Sequence, residues 1–328
     1  MTNPNPDVYG GRTQAGRRAG WPLGGGQGCR KEARLAGLGA DARRREVTLH
    51  ATPDFFREAS VRIAAVARAV LGCVALFGAN ATALTAEVAT DSFTIRSEVL
   101  GEPRLINVHR PAAANTSSAP LAVLYMPDGG IDEDFPHVVA TVDSLIARGA
   151  MRPVIVVGIP NTQRRRDLTG PTRVASDSAI APRVGGSAAF RAFVRDELIP
   201  EIASRYAVTR ERGIIGESLA GLFIVETFLL EPALFDHYIA LDPSLWWNDG
   251  ELADSAAALM RAHPSLERSL LVCSTGDGIV EPIARFAAHL ETSAPSGLRW
   301  RYEPRPDLTH ATVYRAMKAS ALVDAFPP

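Results

Sequence analysis

From about residue 120 onward the chain is built of continuous apolar runs separated by amphipathic stretches: Leu121 to Met126, Val154 to Gly158, Gly213 to Ile215, Tyr238 to Leu241 and Ser269 to Cys273. Short apolar runs of this kind, bounded by turn residues, read as strands buried on both faces. Helical periods lie between them. In the clearest, Ser187 to Tyr206, an apolar residue recurs every fourth position at Phe190, Val194, Leu198, Ile202 and Tyr206. Pro200 predicts a bend near its end, because proline has no N–H to donate to the preceding turn. Upstream, Ser92 to Arg96 and Arg104 to Val108 alternate, with Gly101-Glu102-Pro103 between them, which predicts an antiparallel hairpin. The expected α/β architecture is a mostly parallel central sheet flanked by helices, with that hairpin at its N-terminal side. Functional groups then collect at the carboxyl ends of the strands. One domain, residues 87–328, is expected to hold all of this.

The first 86 residues follow a different pattern. Residues 1–60 are rich in Gly, Arg and Ala, contain Gly24-Gly25-Gly26 and Arg43-Arg44-Arg45, and show no sustained apolar period; they are expected to be disordered. Residues 61–86 have the three parts of a secretory signal: Arg62 and Arg68, the apolar run Ala69 to Phe77, and small residues including Ala81-Thr82-Ala83. The apolar part is too short to span a bilayer. Export to the periplasm or medium is therefore expected, with translation starting near Val61 and residues 1–60 an extension outside the natural protein. Two other readings stay open. Val70-Leu71-Gly72-Cys73 approximates a lipid-attachment box at Cys73, and the segment could be a buried helix of a cytosolic protein.

Composition narrows the partners. Of 35 basic residues only Lys31 and Lys318 are lysines, and residues 87–328 carry 23 basic against 30 acidic side chains, a net charge of −7. An acidic body argues against nucleic acid or an anionic membrane as target. Cys273 stands alone on a predicted buried strand, so it reads as a core residue. No clustered His/Cys spacing suggests a metal site, and neither metal nor cofactor is expected.

The strongest chemical signal is Gly216-Glu217-Ser218-Leu219-Ala220-Gly221, between the strand ending at Ile215 and the apolar stretch Leu219 to Leu230. Strand, sharp turn with serine, then helix is the context of a nucleophile elbow, and small flanking residues let strand and helix approach. The string departs from G-x-S-x-G in having Ala220 at the last position. An ordinary loop whose serine caps the helix would look similar. A serine nucleophile needs a histidine base held by a carboxylate. His310, between the strand Leu298 to Tyr302 and the last helix, is the best base. The acid is expected in the loop after Cys273, where Asp277 is nearest the strand end and Glu281 lies four residues on; both remain candidates. Oxyanion donors are expected from the Leu219 amide and from Gly129 and Gly130 in Asp128-Gly129-Gly130, a segment that could equally be a plain tight turn. Ser, acid, His is the α/β-hydrolase order.

Several segments, taken in order, resemble the esterase family of α/β-hydrolases that contains enterochelin and related siderophore esterases and, more distantly, S-formylglutathione hydrolase and the mycolyltransferases. They are Ser97 to Glu102, Leu124 to Gly129, Val157 to Asn161 leading to Arg166-Asp167-Leu168, Gly216 to Gly221, Asp242 to Trp247, and His310. The resemblance runs from about Ser92 to the end. It implies the α/β-hydrolase fold, Ser218 as nucleophile, His310 as base and the Asp128-Gly129-Gly130 loop as part of the oxyanion hole, with an acid whose position varies. Glu281-Pro282 is similar to a Glu-Pro of enterochelin esterases. A separate N-terminal β-domain of the kind that cytosolic enterochelin esterases carry is not expected.

For substrate, Arg164 and Arg166 after one strand and Trp246 and Trp247 after another would bring cationic forks and aromatic faces to one rim, suited to anionic aromatic esters. Against that, Arg166-Asp167 reads equally as a structural ion pair and one tryptophan as core. The expected function is a serine carboxylic-ester hydrolase on a small-molecule ester, acting through an acyl-enzyme. Acyl transfer on the same fold and a non-catalytic envelope binding protein are the rival readings.

Overall fold

The computed structural model describes residues 90–112 and 119–328. The expectations for residues 1–60 and 61–86, Cys73 included, lie outside the described residues. Eight strands form one sheet in the order β1-β2-β4-β3-β5-β6-β7-β8. They are β1 (Thr90–Ser97), β2 (Glu102–His109), β3 (Leu121–Pro127), β4 (Val154–Ile159), β5 (Val208–Glu217), β6 (His237–Leu241), β7 (Ser269–Thr275) and β8 (Arg299–Arg305). β1 pairs antiparallel with β2, and β2 antiparallel with β4; every later pair is parallel. The predicted hairpin is present, with one difference. Its turn is residues 98–101, closed by Gly101 at φ 67°, and Glu102 and Pro103 already belong to β2.

Side chains of a strand alternate between the two faces of its sheet, and both faces are buried here. On β3, Val123 and Tyr125 enter one core while Ala122, Leu124 and Met126 enter the other. The second core is covered by α1 (Phe135–Ala147), through Phe135, Val138 and Val142, and by the last helix, through Val313, Met317 and Leu322. Opposite faces are why these strands read as unbroken apolar runs. Two short helices, α2 (Arg164–Asp167) and α3 (Ala175–Ala179), follow β4. Pro200 acts as expected, by a specific route. α4 (Ser187–Phe193) runs into a π-helical turn, Val194–Leu198, and α5 (Ile199–Arg205) restarts with Pro200 in its first turn, where its missing N–H is not needed.

α6 (Leu219–Leu230) has ten buried residues in twelve, which suits a helix apolar on all sides and packed at the centre of the fold. α7 (Glu251–Arg261), α8 (Val280–Ser293) and α9 (His310–Ala325) complete the layers. Cys273 is buried on β7 as expected, and burial pushes its thiol up to about 12. Among the described residues no helix is long and apolar enough to cross a membrane.

Candidate active site

The carboxyl ends of β3, β5, β6 and β7 converge on the start of α9. At the end of β5 the chain turns through Ser218, which has φ 62° and ψ −120°, and passes directly into α6. Such a backbone is strained for a residue with a side chain and must be held from outside. Four hydrogen bonds and two close contacts hold it. The Ser218 amide donates to the Leu241 carbonyl at 3.1 Å, and its carbonyl accepts from the amides of Ser244 (3.0 Å) and Leu222 (2.9 Å). The Ser218 hydroxyl lies 3.3 Å from the Ser244 hydroxyl. A Cβ at Gly216 would come within 2.6 Å of Ala220 Cβ, and one at Gly221 within 3.0 Å of Pro243. Ala220 is therefore accommodated because Gly216 faces it. The strand–turn–helix is an elbow, in a conformation that a plain helix-capping serine does not require.

His310 opens α9, fixed by the reciprocal cap between Thr309 and Thr312. Its Nδ1 lies 2.6 Å from Oδ2 of Asp242, at the end of β6. Asp242 is 3% exposed at its side chain, and a carboxylate buried that deeply needs donors. It has them: the Thr275 amide donates to Oδ1 at 3.1 Å and the Thr275 hydroxyl to Oδ2 at 2.9 Å. The bond to Asp242, reinforced by the charges of Glu217 and Asp277 and opposed by partial burial, holds the His310 imidazole above its ordinary range.

Neither carboxylate expected as the histidine's partner occupies that place. Asp277 accepts the backbone N–H of His310 at 2.8 Å, a bond that holds its exposed carboxyl below the usual range. Glu281, in the first turn of α8, pairs with Arg285 and is 68% exposed. The carboxylate on His310 Nδ1 comes from the end of β6 because β6 and β7 are adjacent and both end beneath the His310 turn; Asp242, at φ 42°, turns its carboxylate inward there. Its signal was present in the chain, a carboxylate immediately after a buried strand and followed by Pro243, within a segment that already carried the family resemblance.

The amides expected as oxyanion donors differ in what they bond. Leu219 is the first residue of α6, so its N–H is one of the first-turn amides that a helix leaves without an internal acceptor. The Gly129 amide instead donates to the Ile159 carbonyl at 3.1 Å, in a contact so close that a Cβ would meet Ile159 N at 2.2 Å. The Gly130 amide donates to Oε2 of Glu133 at 2.7 Å. Asp128-Gly129-Gly130 is thus a loop stitched to β4 and capped by its own carboxylate.

Of the four residues expected at the rim, Trp246 lines a cavity of about 290 Å³ with Ser218, His310, Ser244, Ile279 and Ile283. Trp247 is buried and donates its indole N–H to the Gly170 carbonyl at 2.9 Å. Arg164 grips Asp128 through two nitrogens, at 2.6 and 2.8 Å. Arg166 does the same to Glu102 at 2.9 and 2.6 Å, holding that carboxyl down at about 2, and also bonds Asp167. Both arginines are committed to the scaffold because the loop after β4 lies over the acidic ends of β2 and β3.

A mostly parallel sheet with helices on both faces, and a strained serine between its central strand and helix facing a histidine–carboxylate pair, define an α/β-hydrolase. The family model described as "Putative esterase" matches residues 97–278, more than half of the chain, and the chain belongs to that family. Among curated proteins it is 36% identical over 109 residues to the ferri-bacillibactin esterase BesA of Bacillus subtilis, covering 29% of this chain and 38% of that one. It is 31% identical over 168 residues to the siderophore triacetylfusarinine C esterase of Aspergillus fumigatus, covering 45% and 53%. The chain therefore spans about half or less of the length of these relatives. Among solved structures, an IroE-like serine hydrolase from Shewanella oneidensis superposes with a TM-score of 0.63 at 26% identity, over 72% of this chain and 78% of that one.

Proposed function

We propose that this protein is a serine carboxylic-ester hydrolase that acts through an acyl-enzyme, with siderophore-type esters as substrates. The observation that carries the reading is the contact between His310 Nδ1 and the buried, fully bonded Asp242, beside a serine held at positive φ at the head of α6. An Asp242 carboxylate fixes the tautomer with the proton on Nδ1 and leaves the Nε2 lone pair free to act as base. Nε2 takes the Ser218 proton as Oγ attacks the ester carbonyl, and the resulting oxyanion is met by the Leu219 amide. Collapse expels the alkoxide, which leaves as an alcohol with the proton from Nε2, and the acyl group stays on Oγ. Water then repeats the sequence, with His310 as its base, and the carboxylic acid departs.

The resting bond of Ser218 goes to Ser244, so the hydroxyl must swing to Nε2 when substrate seats; such bonds are commonly loose before the substrate complex forms. The Gly130 amide is a second oxyanion donor on this account, since its acceptor is a side chain that can rotate away. The names of the relatives support the substrate class, and Trp246 with Ile279 and Ile283 supports an aromatic or apolar acyl group in the cavity. We read residues 61–86 as an export signal, which puts the reaction outside the cytoplasm; a mature protein that retains this segment would refute it.

The direct test is hydrolysis by the purified chain of p-nitrophenyl acetate, a catecholate lactone siderophore and a hydroxamate ester siderophore, each with and without iron, beside Ser218→Ala. Serine-dependent release of the siderophore acid supports the proposal. Serine-dependent activity on p-nitrophenyl acetate alone would move the substrate elsewhere, and a rate unchanged in Ser218→Ala would refute the mechanism.

A further inference from the structure

The strand that delivers Ser218 also delivers Glu217, and that residue has no part in the mechanism above. Alternation puts Glu217 on the same face of β5 as Ile215, the face covered by α1 and α9. Its Oε1 lies 3.7 Å from Nε2 of His310, the nitrogen that must serve Ser218. The imidazole is thus flanked by two carboxylates, Asp242 on Nδ1 and Glu217 near Nε2. The Glu217 side chain is only 18% exposed, and among the described residues its carboxylate has no hydrogen-bond donor and no other ion-pair partner. A half-desolvated carboxylate left without donors is costly unless something nearby uses its charge.

We propose that Glu217 is a positioning residue for His310: it holds the Nε2 edge of the imidazolium and so sets the pH at which the base is released to Ser218. The inference rests on reading Ser218 and His310 as nucleophile and base. The groups that face the pair come from every surrounding element. Asp134 before α1, Asp242 after β6, Arg164 on α2, Cys273 on β7 and Tyr314 on α9 face Glu217, and Asp242 and Asp277 face His310 beside Glu217 itself. Burial, with Asp134 and Asp242, raises the Glu217 carboxyl to about 7, against the opposing charges of His310 and Arg164. Glu217 and His310 therefore titrate in one window and give up their protons as a pair. Within that window, once Glu217 has lost its proton, the imidazolium is retained next to an anion. Above the window the imidazole is neutral and Nε2 can accept the Ser218 proton.

An opposite charge within about 4–6 Å shifts a titration by one to three units. Replacing the anion with a neutral isostere, Glu217→Gln, should lower the midpoint of the acid limb of kcat/KM by about one unit, so that the rate at pH 6 relative to pH 8 rises several-fold. The measurement is p-nitrophenyl acetate hydrolysis by the full chain from pH 5 to 9, with wild type, Glu217→Gln and Glu217→Asp; the Asp variant should return the midpoint toward wild type. A midpoint that stays in place while only the plateau changes would overturn the proposal, since a purely structural role predicts that result. If Glu217→Gln is too slow to assay, the His310 ring proton, assigned with His310→Asn, is titrated by NMR in both proteins. The same downward shift supports the proposal and an unmoved titration overturns it. A wild-type rate retained by Ser218→Ala would overturn the reading of the site and this inference together, whereas an unmoved Glu217→Gln midpoint leaves the site intact.

Discussion

Two histidines at opposite ends of the same sheet have almost the same partners. His310, at the carboxyl ends, has Asp242 on Nδ1 and Glu217 and Ser218 nearby. His237, at the amino end of β6, bonds Ser269 Oγ through Nδ1 at 2.7 Å and Glu211 through Nε2 at 2.9 Å. By composition the second set, Ser269-His237-Glu211, is the more complete hydrogen-bonded chain. It also adjoins the larger cavity, about 590 Å³ against 290 Å³. What it lacks is everything around the serine. Ser269 starts a regular strand and its amide donates to Asp236 at 2.9 Å, so no free amide stands behind its oxygen. Both ring nitrogens of His237 are occupied, the ring is buried against Phe326, and Glu211 is shared with Arg152. On the proposed mechanism a Ser–His–carboxylate trio is not enough: the serine also needs a strained turn, an open helix N-terminus and a histidine nitrogen without a hydrogen bond.

The sharpest break between the two regions is loss of the nucleophile. Ser218→Ala should remove about six orders of magnitude of kcat, or all detectable rate, while Ser269→Ala leaves it unchanged within a factor of about two; single-turnover and steady-state assays on one ester decide it. Next comes the acid. Asp242→Asn should cost about 10⁴-fold in kcat, as loss of the tautomer-fixing carboxylate does elsewhere. Asp277→Asn, which loses an acceptor of the His310 backbone N–H and not of its ring, should cost less than about tenfold, and Glu281→Gln nothing measurable. Equal losses at Asp242 and Asp277 would restore Asp277 to the role assigned from the sequence.

A pH profile sharpens the same contrast. The His310 pKa is raised on folding, so its charged form stabilises the native state at acid pH, and that contribution is lost as pH rises through the folded value. The neutral imidazole needed for catalysis gains over that same interval. The acid limb of kcat/KM should therefore lie above 6.5, the ordinary histidine value. The smallest effect on rate and the clearest on stability belongs to His237→Ala. It strips a buried network at a cost on the order of 2 kcal/mol, a fall in Tm of roughly 4–8 °C for a domain of this size, with kcat unaltered; differential scanning fluorimetry beside the esterase assay checks both.

Much of the architecture was readable because burial on both faces leaves an unbroken apolar run, and each such run is a strand. Ser218 and His310 were readable for a related reason, since each sits where a strand or strand loop gives way to a helix. Asp242 was missed because neighbouring strands are equivalent along the chain and only their lateral order, β6 beside β7, decides which end lies under the histidine. The arginines misled for the complementary reason. Arg164 and Arg166 follow the carboxyl end of a strand, where site residues collect, but their partners Asp128 and Glu102 come from strands 36 and 64 residues away. Gly129 was read as an amide donor when its value is the absence of a side chain against β4.

Reaction of the purified chain with a fluorophosphonate, followed by peptide mass spectrometry, tests whether Ser218 is the nucleophile. A single adduct on Ser218 is expected, formed rapidly in wild type and in His237→Ala, and slowed by orders of magnitude in His310→Ala and Asp242→Asn. An adduct on Ser269, or no adduct at Ser218 under conditions that label an ordinary serine esterase, would contradict that role.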